Sequence, residues 1–260
     1  MMRPPETEPF AHRKVKLGDV TIAVADDQPT FWNRVDAGLW ESGTLAVMRA
    51  RVDSTAVFLD LGAWVGPTAL YAAALGARVI AVEADPAALD QLRRNLTANP
   101  ALAARIEVIP RAAHGSAGTV TLGARRKPGD SMSSTILADA PVHWRAQTVT
   151  PAGLRAMIRD SERVFVKIDI EGGEYELLPK LGPLLAVPGC AVLVSFHPKI
   201  LAAMKPQRAE QAAATGAALE PFAEFDSFAV TEAGAVAEAA DAAAIAARAQ
   251  GDEWLFLKRP

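Results

Sequence analysis

Ionisable residues cluster at the end of one apolar strand pattern, in the segment VFVKIDIEGGEYE (164–176). Lys167, Asp169 and Glu171 lie two residues apart, so in an extended strand their side chains project to one face. A carboxylate at that point can accept the proton of a substrate hydroxyl or anchor it, which makes Asp169 a candidate catalytic base with Lys167 as its catalytic partner. A purely structural ion pair between Lys167 and Asp169 is the alternative interpretation.

His197 is the second candidate proton acceptor, because it ends the next apolar strand pattern, AVLVSFHP (191–198). The proline after it stops further strand pairing, so we expect the imidazole at the same edge of a parallel sheet as Asp169. An unperturbed imidazole has a pKa of about 6.5 and accepts protons at neutral pH. The alternative is a histidine that only hydrogen-bonds the loop backbone.

The turn after an earlier strand pattern, VFLDLGAWVGPTAL (57–70), has the composition of a cofactor site. Gly62 and Gly66 permit a sharp turn and the close approach of a helix, and Asp60 can accept hydrogen bonds at the strand end. Trp64 stands where the dinucleotide fingerprint G-x-G-x-x-G has its second glycine, which brings the backbone against a pyrophosphate. Trp64 therefore argues against NAD or FAD.

Glu83 ends the second strand pattern, ARVIAVEAD (77–85), 23 residues after Asp60. An acid at about 20 residues from such a turn holds the hydroxyls of a ribose in nucleoside-binding folds. The turn and the acid together predict a nucleoside cofactor that carries no phosphate at the turn. S-adenosylmethionine meets that description.

These residues need a scaffold that brings several strand ends to one edge. From residue 56 onward, short apolar strand patterns alternate with helical ones, which predicts a parallel sheet with helices on both faces. Because a hairpin and two helical pieces are predicted before it, we divide the chain into an N-terminal hairpin and helical cap, 1–52, and one α/β domain, 53–260. The Ala-rich segment 235–250 predicts a helix near the end of the chain.

The segments FLDLGAWVG (58–66) and VIAVEADPAALDQLRRNL (79–96) resemble motifs I and II of the class I S-adenosylmethionine-dependent methyltransferases. The segment VFVKIDIEGGEYELLPKL (164–181) resembles the signature of the FkbM-type branch of that superfamily. Together the resemblances cover residues 56–197. They imply a Rossmann-like fold with a mostly parallel seven-stranded sheet, helices on both faces and an antiparallel last strand.

The resemblance implies that the glycine turn surrounds the amino-acid part of S-adenosylmethionine and that an acid holds its ribose. The implied cofactor-binding residues are Asp60, Gly62, Ala63, Trp64, Gly66, Glu83, Ala84, Ala112 and Asp169. Candidate substrate contacts are the acids Glu171 and Glu174, Ser133 and Ser134 in a hydroxyl-rich loop (129–136) that precedes the next helix, and Glu41 in the N-terminal cap. A helix-start acid, a solvated turn and a surface glutamate are the respective alternatives.

The chain departs from the family at three points. The family commonly has Asn at the position of Trp64, and often Glu at the position of Ser195, two residues before His197. Many class I enzymes have an Asp after the third strand for the adenine amine, where this chain has Ala112 and its neighbours. We therefore expect backbone groups and apolar packing to hold the adenine.

The leading functional hypothesis is an S-adenosylmethionine-dependent methyltransferase that acts on a hydroxyl of a small molecule or glycoconjugate, as the resemblance implies. One alternative is an NAD(P)-dependent oxidoreductase, which Trp64 and the lack of a Tyr-x-x-x-Lys pair disfavour. Another is a non-catalytic cofactor-binding module. A nucleic-acid methyltransferase is disfavoured by the net charge of −3 and by the lack of an Asn-Pro-Pro-Tyr-type segment.

Composition limits which disulfides, metal sites and cellular locations the sequence allows. The single cysteine, Cys190, excludes an intramolecular disulfide and a cysteine metal centre. No carboxylates and imidazoles are grouped at ligand spacing along the sequence, so no metal site is predicted. The sequence has neither a secretion signal nor an apolar run of about 18 residues, so we expect a cytoplasmic protein with no membrane partner.

Overall fold

The computed structural model describes residues 12–124, 127–129, 133–159, 163–248 and 252–259. The strands of these ranges are β1 (His12–Leu17), β2 (Val20–Ala25), β3 (Ala56–Leu61), β4 (Arg78–Glu83), β5 (Ile106–Pro110), β6 (Ala112–Ala113), β7 (Thr119–Ala124), β8 (Val142–Val149), β9 (Arg163–Ile168), β10 (Ala191–Ser195), β11 (Phe225–Thr231), β12 (Gly234–Ala237) and β13 (Glu253–Lys258). The helices are α1 (Pro29–Asp36), α2 (Ser42–Arg51), α3 (Pro67–Ala74), α4 (Pro86–Ala98), α5 (Pro100–Ala103), α6 (Pro151–Arg155), α7 (Glu174–Leu177), α8 (Gly182–Leu185), α9 (Pro198–Met204), α10 (Arg208–Leu219) and α11 (Ala242–Ala247).

The main sheet has the strand order β12-β11-β13-β10-β9-β3-β4-β5 in the described ranges. The strands from β10 to β5 run parallel, and β13 lies antiparallel between β10 and β11. The predicted α/β fold, with a mostly parallel sheet and an antiparallel last strand, is therefore confirmed. Because β3, β4, β9 and β10 are parallel, their carboxyl ends meet at one edge, where ligands bind in open sheets of this kind.

The tail differs from the prediction of one long Ala-rich helix. Gly234 adopts a φ of +112°, which lets the chain turn back after β11 and add β12 as an edge strand. The sheet thus has one strand more than the seven expected, and the helix covers only α11. Alanine favours helices only weakly compared with tertiary pairing, so a glycine turn overrides it here.

A second difference is β8, which the sequence did not reveal. The expected direct passage from the hydroxyl-rich loop to a helix is wrong, because β8 lies between them and pairs with β6 and β7 in a small separate sheet. Its first half exposes alternate side chains, so its apolar signal is weak. Residues 130–132 of the hydroxyl-rich loop lie outside the described residues.

Two apolar clusters cover the two faces of the main sheet. Val57, Leu59 and Leu61 of β3 belong to one cluster and Phe58 to the other, as strand alternation requires. The hairpin β1–β2 and helices α1 and α2 pack their apolar residues into the cluster around Phe58. The N-terminal cap thus shares a core with the sheet, and the division at residue 52 stays a prediction.

Across the described residues, none of the helices has the length and apolar character that crossing a membrane demands.

Candidate active site

The turn after β3 requires glycine at two positions. Gly62 has a φ of +90°, and a Cβ there would lie 1.9 Å from the carbonyl oxygen of Asp169. Gly66 has a φ of +91°, and a Cβ there would lie 2.4 Å from Cδ1 of Leu92 in α4. The first glycine lets β3 end directly against the end of β9, and the second lets α3 begin close to α4.

Asp60 lies beneath this turn and is fully buried. Thr68 donates its hydroxyl to Oδ2 of Asp60 at 2.7 Å. Burial raises the pKa of the Asp60 carboxyl to about 6, against the opposing effects of Lys167 and Thr68. Asp60 therefore supports the turn from below.

Glu83 at the end of β4 is held by backbone amides. The N–H of Trp64 donates to Oε2 at 2.8 Å, and the N–H groups of Ala84 and Asp85 donate to Oε1 at 2.7 Å each. Burial raises the pKa of the Glu83 carboxyl to about 7. The carboxylate is thus fixed between the ends of β3 and β4.

Trp64 connects the turn to two other parts of the molecule. Its φ of +47° is unusual for a bulky residue. Its indole Nε1 donates to the carbonyl oxygen of Gly129 at 3.0 Å, and its ring meets that of Phe31 in α1 edge-on, with centroids 4.5 Å apart. The tryptophan therefore braces the turn against the N-terminal cap and the hydroxyl-rich loop.

Asp85 is a site residue that sequence reasoning missed. It accepts the N–H groups of Ala87 and Ala88 at the start of α4, and its Oδ2 accepts the N–H of Gly129 and the hydroxyl of Ser133 at 2.7 and 2.6 Å. An Asp-Pro pair before a helical pattern is an N-cap signal, which could have identified the first role. The second role depends on the loop folding back onto α4.

An open cavity of about 700 Å³ lies at this edge of the sheet. Among the residues proposed from the sequence, those that line it are Gly62, Trp64, Glu83, Ala84, Ala112, Ser133, Asp169 and Glu171. Lining residues that the sequence did not indicate include Asp85, Arg111, His114, Leu122, Thr135 and Ile170. The proposed residues that lie outside its lining are Asp60, Ala63, Gly66, Glu41, Ser134, Lys167, Glu174 and His197.

Lys167 is buried at the centre of a group of acids behind the cavity. Its Nζ lies 3.1 Å from Oδ2 of Asp169, and its strand neighbour in β3 is Asp60. Burial alone would lower the pKa of Lys167, but the nearby carboxylates, Asp169 foremost and then Glu41, raise it. Burial likewise opposes ionisation of Asp169, yet Lys167 and His197 hold its pKa below the usual range.

His197 faces three carboxylates. Its Nδ1 lies 3.1 Å from Oε1 of Glu174, and its Nε2 lies 3.7 Å from Oδ1 of Asp169 and 3.5 Å from Oε2 of Glu171. Burial lowers the pKa of the imidazole, but Glu174 and the two other acids outweigh it and raise the pKa to about 9. At neutral pH this histidine carries a proton.

Glu174 positions this histidine from inside the fold. Its side chain is fully buried, and its two oxygens accept the N–H of Gly172 at 2.8 Å and the N–H of His197 at 3.0 Å. The glutamate thereby joins the turn after β9 to the start of α9. Ser134 is also largely buried and donates its hydroxyl to the carbonyl oxygen of Glu171 at 2.6 Å.

Glu253 of β13 is a second residue that the sequence did not indicate. It lies opposite Ser195 in the antiparallel register and accepts the Ser195 hydroxyl at 3.2 Å and the Thr44 hydroxyl. The neighbouring strand thus brings a buried carboxylate to Ser195, the position where the family often has Glu. Burial and the nearby Glu41 raise the pKa of Glu253 well above its usual value, and burial raises the pKa of Glu41 to about 7.

The family model described as "Methyltransferase FkbM domain" matches residues 60–233. The chain belongs to this family. The match confirms the resemblance to the FkbM-type branch drawn from the segments around the glycine turn and β9. No curated protein matches the chain in sequence.

Three solved structures that are similar to this FkbM-family chain follow. FkbM from Methylobacillus flagellatus KT is 18% identical, with 80% of this chain and 44% of that chain covered and a TM-score of 0.47. Cofactor-bound Rv0187 from MTB, whose name gives no activity, is 13% identical, with 84% and 79% covered and a TM-score of 0.47. The tRNA (uracil-54, C5)-methyltransferase of Pyrococcus abyssi is 14% identical, with 95% and 43% covered and a TM-score of 0.45. The FkbM-family chain thus spans less than half of the Methylobacillus protein.

Proposed function

We propose that this chain transfers a methyl group from S-adenosylmethionine to a hydroxyl oxygen of a small molecule or glycoconjugate. One observation carries the proposal: a single cavity has the amide-held Glu83 on one side and the Asp169 carboxylate, paired with Lys167, on the other. The first group is suited to a ribose and the second to a hydroxyl proton.

The residues present fit the cofactor. The open cavity combines polar groups at the ends of β3, β4 and β9 with apolar side chains. Gly62 leaves the turn without a side chain where β3 ends against the end of β9. Glu83 retains lone pairs for ribose hydroxyls, while Ala112 and Leu122 offer an apolar wall for the adenine. Asp60, Ala63 and Gly66 would shape the turn without touching the cofactor.

When bound, S-adenosylmethionine supplies a methyl group on a sulfonium sulfur that an oxygen displaces in line. The chain's own contribution is to orient the acceptor and take its proton. Asp169 lines the cavity as an ionised carboxylate, so we assign it the proton of the acceptor hydroxyl. Lys167 keeps Asp169 ionised from behind.

His197 is less suited to the role of base than Asp169. Its pKa of about 9 means that it already holds a proton at neutral pH, and it lies outside the cavity lining. We infer that the imidazolium positions Asp169 and Glu171 and helps to keep Asp169 ionised. This retains His197 in the catalytic group but changes its part from accepting a proton to stabilising a carboxylate.

Ser133 and Glu171 are the candidate acceptor contacts that line the cavity. Glu174 and Ser134 act on the acceptor only through His197 and Glu171, because both are buried behind the lining. Glu41 lies near the same charges from the side of α2. The concentration of acids at this end disfavours a phosphate backbone and favours a neutral acceptor with several hydroxyls.

The decisive experiment measures cofactor binding first and methyl transfer to an acceptor second. Isothermal titration calorimetry with S-adenosylmethionine and with NAD should show binding of the first and none of the second; the reverse result would replace the proposal by an oxidoreductase. Labelled methyl transfer is then screened against sugar, lipid and polyketide hydroxyls, with an RNA oligonucleotide included. Cofactor binding without turnover on any class would favour a non-catalytic module, and transfer to RNA alone would overturn the acceptor class.

A further inference from the structure

Asp169, Glu171 and His197 form a compact group that the sequence does not reveal. Each offers one ligand atom, and these atoms all lie within 4.8 Å of one another. The first two follow β9, whereas His197 comes 26 positions after Glu171 and precedes α9. The fold therefore assembles the grouped carboxylates and imidazole whose absence from the linear sequence had argued against a metal.

The spacing inside this group is too long for hydrogen bonds. Nε2 of His197 lies 3.7 Å from Oδ1 of Asp169 and 3.5 Å from Oε2 of Glu171, whereas an N–H donor and its oxygen acceptor usually lie about 2.7–3.2 Å apart. The His197 side chain is only 4% exposed, so its Nε2 points into a protein-walled gap. Neighbouring ligands around a divalent cation at about 2.1–2.4 Å stand about 3.0–3.5 Å apart, which is close to this spacing.

Glu174 fixes the imidazole in the orientation that a metal ligand needs. Its buried Oε1 lies 3.1 Å from Nδ1, and that places Nε2 toward Asp169 and Glu171. Histidine ligands of metals commonly bind a carboxylate through the second ring nitrogen in this way. Glu174 lies outside the three-residue group, so it supports the arrangement independently.

The surrounding charges favour a cation. Lys167 occupies only Oδ2 of Asp169, which leaves Oδ1 facing the gap. Asp169, Glu41, Glu253 and Asp60 act on that one ammonium. Glu171 and Glu174 face His197 beside it. Asp169 and Glu171 are 26% and 16% exposed and both line the cavity, so a bound ion would keep open positions on the cavity side.

We propose that Asp169, Glu171 and His197 bind a divalent cation of the Mn²⁺ or Mg²⁺ class at the acceptor end of the cavity. Binding displaces the Nε2 proton of His197 to solvent, so the imidazole ligates in its neutral form and the cation takes over the stabilisation of the two carboxylates. Two carboxylate oxygens and one imidazole nitrogen match Mn²⁺ best, since carboxylates suit Mg²⁺ and Mn²⁺ and imidazole suits the transition metals. The ion takes the acceptor oxygen as a further ligand and lowers the pKa of its hydroxyl. That role rests on the proposed methyl transfer, whereas the binding itself does not.

The test uses the full chain, freed of metal with a chelator, and follows free Mn²⁺ by electron paramagnetic resonance. Wild-type protein should bind one Mn²⁺ per chain, and both His197→Gln and Glu171→Gln should weaken binding at least tenfold. His114→Gln is the matched control, because His114 lines the same cavity but pairs with Glu176 at 2.9 Å outside the group. Circular dichroism of each variant establishes that it is folded.

Two results would overturn the cation site: no saturable Mn²⁺ binding by the wild type, or binding that survives both substitutions. If His197→Gln fails to fold, Glu171→Gln alone decides the matter. Calorimetry with S-adenosylmethionine on the same samples separates the two proposals. Cofactor binding without Mn²⁺ binding rejects only the cation, and Mn²⁺ binding without cofactor binding rejects only the methyl-transfer proposal.

Discussion

The two ends of the cavity stabilise their buried carboxylates in different ways. At the proposed cofactor end, Glu83 and Asp85 accept mainly backbone N–H groups, most of them from residues 64–88. At the proposed acceptor end, Asp169 depends on the side chain of Lys167 at the end of the same strand, and behind the cavity Glu253 depends on that of Ser195 in the neighbouring strand. We call these the amide-held end and the charge-paired end.

The two ends should respond differently to amino-acid substitution. Backbone N–H groups are kept by every substitution except proline and hold a carboxylate at a fixed place, which suits the proposed recognition of ribose hydroxyls. A group of side-chain charges can gain or lose a proton or an ion, which suits proton transfer, but each member depends on the others. Single substitutions should therefore affect the charge-paired end more strongly.

The largest expected effect is at Asp169. Asp169→Asn should lower kcat about 1,000-fold, because the amide cannot accept the acceptor proton, while S-adenosylmethionine affinity stays within about threefold. Steady-state kinetics with an acceptor from the screen, together with calorimetry, measures both. The exposed surface variant Asp226→Asn is the control and should leave both values unchanged. Full activity of Asp169→Asn would reject Asp169 as the proton acceptor and, with it, the greater sensitivity of the charge-paired end to substitution.

Glu41 tests how burying an acid beside the charge-paired end makes the unfolding free energy depend on pH. Burial raises its pKa to about 7, and its buried Oε2 has no hydrogen-bond partner within the described ranges. Because the pKa of Glu41 is higher in the folded protein than in the unfolded chain, the folded protein binds this proton more tightly. The stability that this proton contributes is complete below about pH 4.5 and is lost as the pH rises to about 7. Relative to wild type, the unfolding free energy of Glu41→Gln should rise by up to about 3 kcal/mol over that range.

Urea denaturation at several pH values between 4.5 and 8 measures this difference. Glu210→Gln is the matched control, because it makes the same chemical change at an exposed position in α10. If the unfolding free energies of Glu41→Gln and wild type differed by the same amount at every pH, the raised pKa of Glu41 would be rejected.

Glu83 tests the amide-held end. Glu83→Ala should weaken S-adenosylmethionine binding about 30-fold, near 2 kcal/mol, through loss of a charged acceptor for the ribose. Glu83→Gln keeps one carbonyl acceptor for the turn and should lose less. Calorimetry checks both, with Glu107→Ala on the exposed side of β5 as the control. Unchanged affinity in both Glu83 variants would reject the ribose assignment.

The smallest effect is expected at Trp64. Trp64→Phe removes the indole donor to Gly129 but keeps a ring against Phe31, so the unfolding free energy should fall by about 1 kcal/mol. Gln28 still donates to the same carbonyl oxygen, which limits the loss. Denaturant unfolding compares it with Trp40→Phe, another tryptophan that packs against Phe31. A loss equal in both variants would show that the hydrogen bond to the loop contributes nothing.

The two ends also differ in how well the sequence predicted them. Short motifs point to the glycine turn and to Glu83, because a tight turn and an acid at a strand end constrain residues that are close along the chain. The position of Trp64 in the sequence marks it as a barrier to pyrophosphate, whereas its role as a brace to Phe31 and Gly129 depends on the fold. Asp85, His114 and Glu253 carried no motif that tied them to the site.

The sequence by itself determined the alternation of strands and helices, the glycine turn, the acid that ends β4 and the polar residues after β9. These follow from local periodicity and from backbone conformations that only certain residues adopt. The tertiary structure alone decided that β8 and β12 form, that Glu253 faces Ser195, and that His197 meets Asp169 and Glu171. Such pairings depend on contacts between residues far apart in the chain, and burial then sets the charge state that each of them holds.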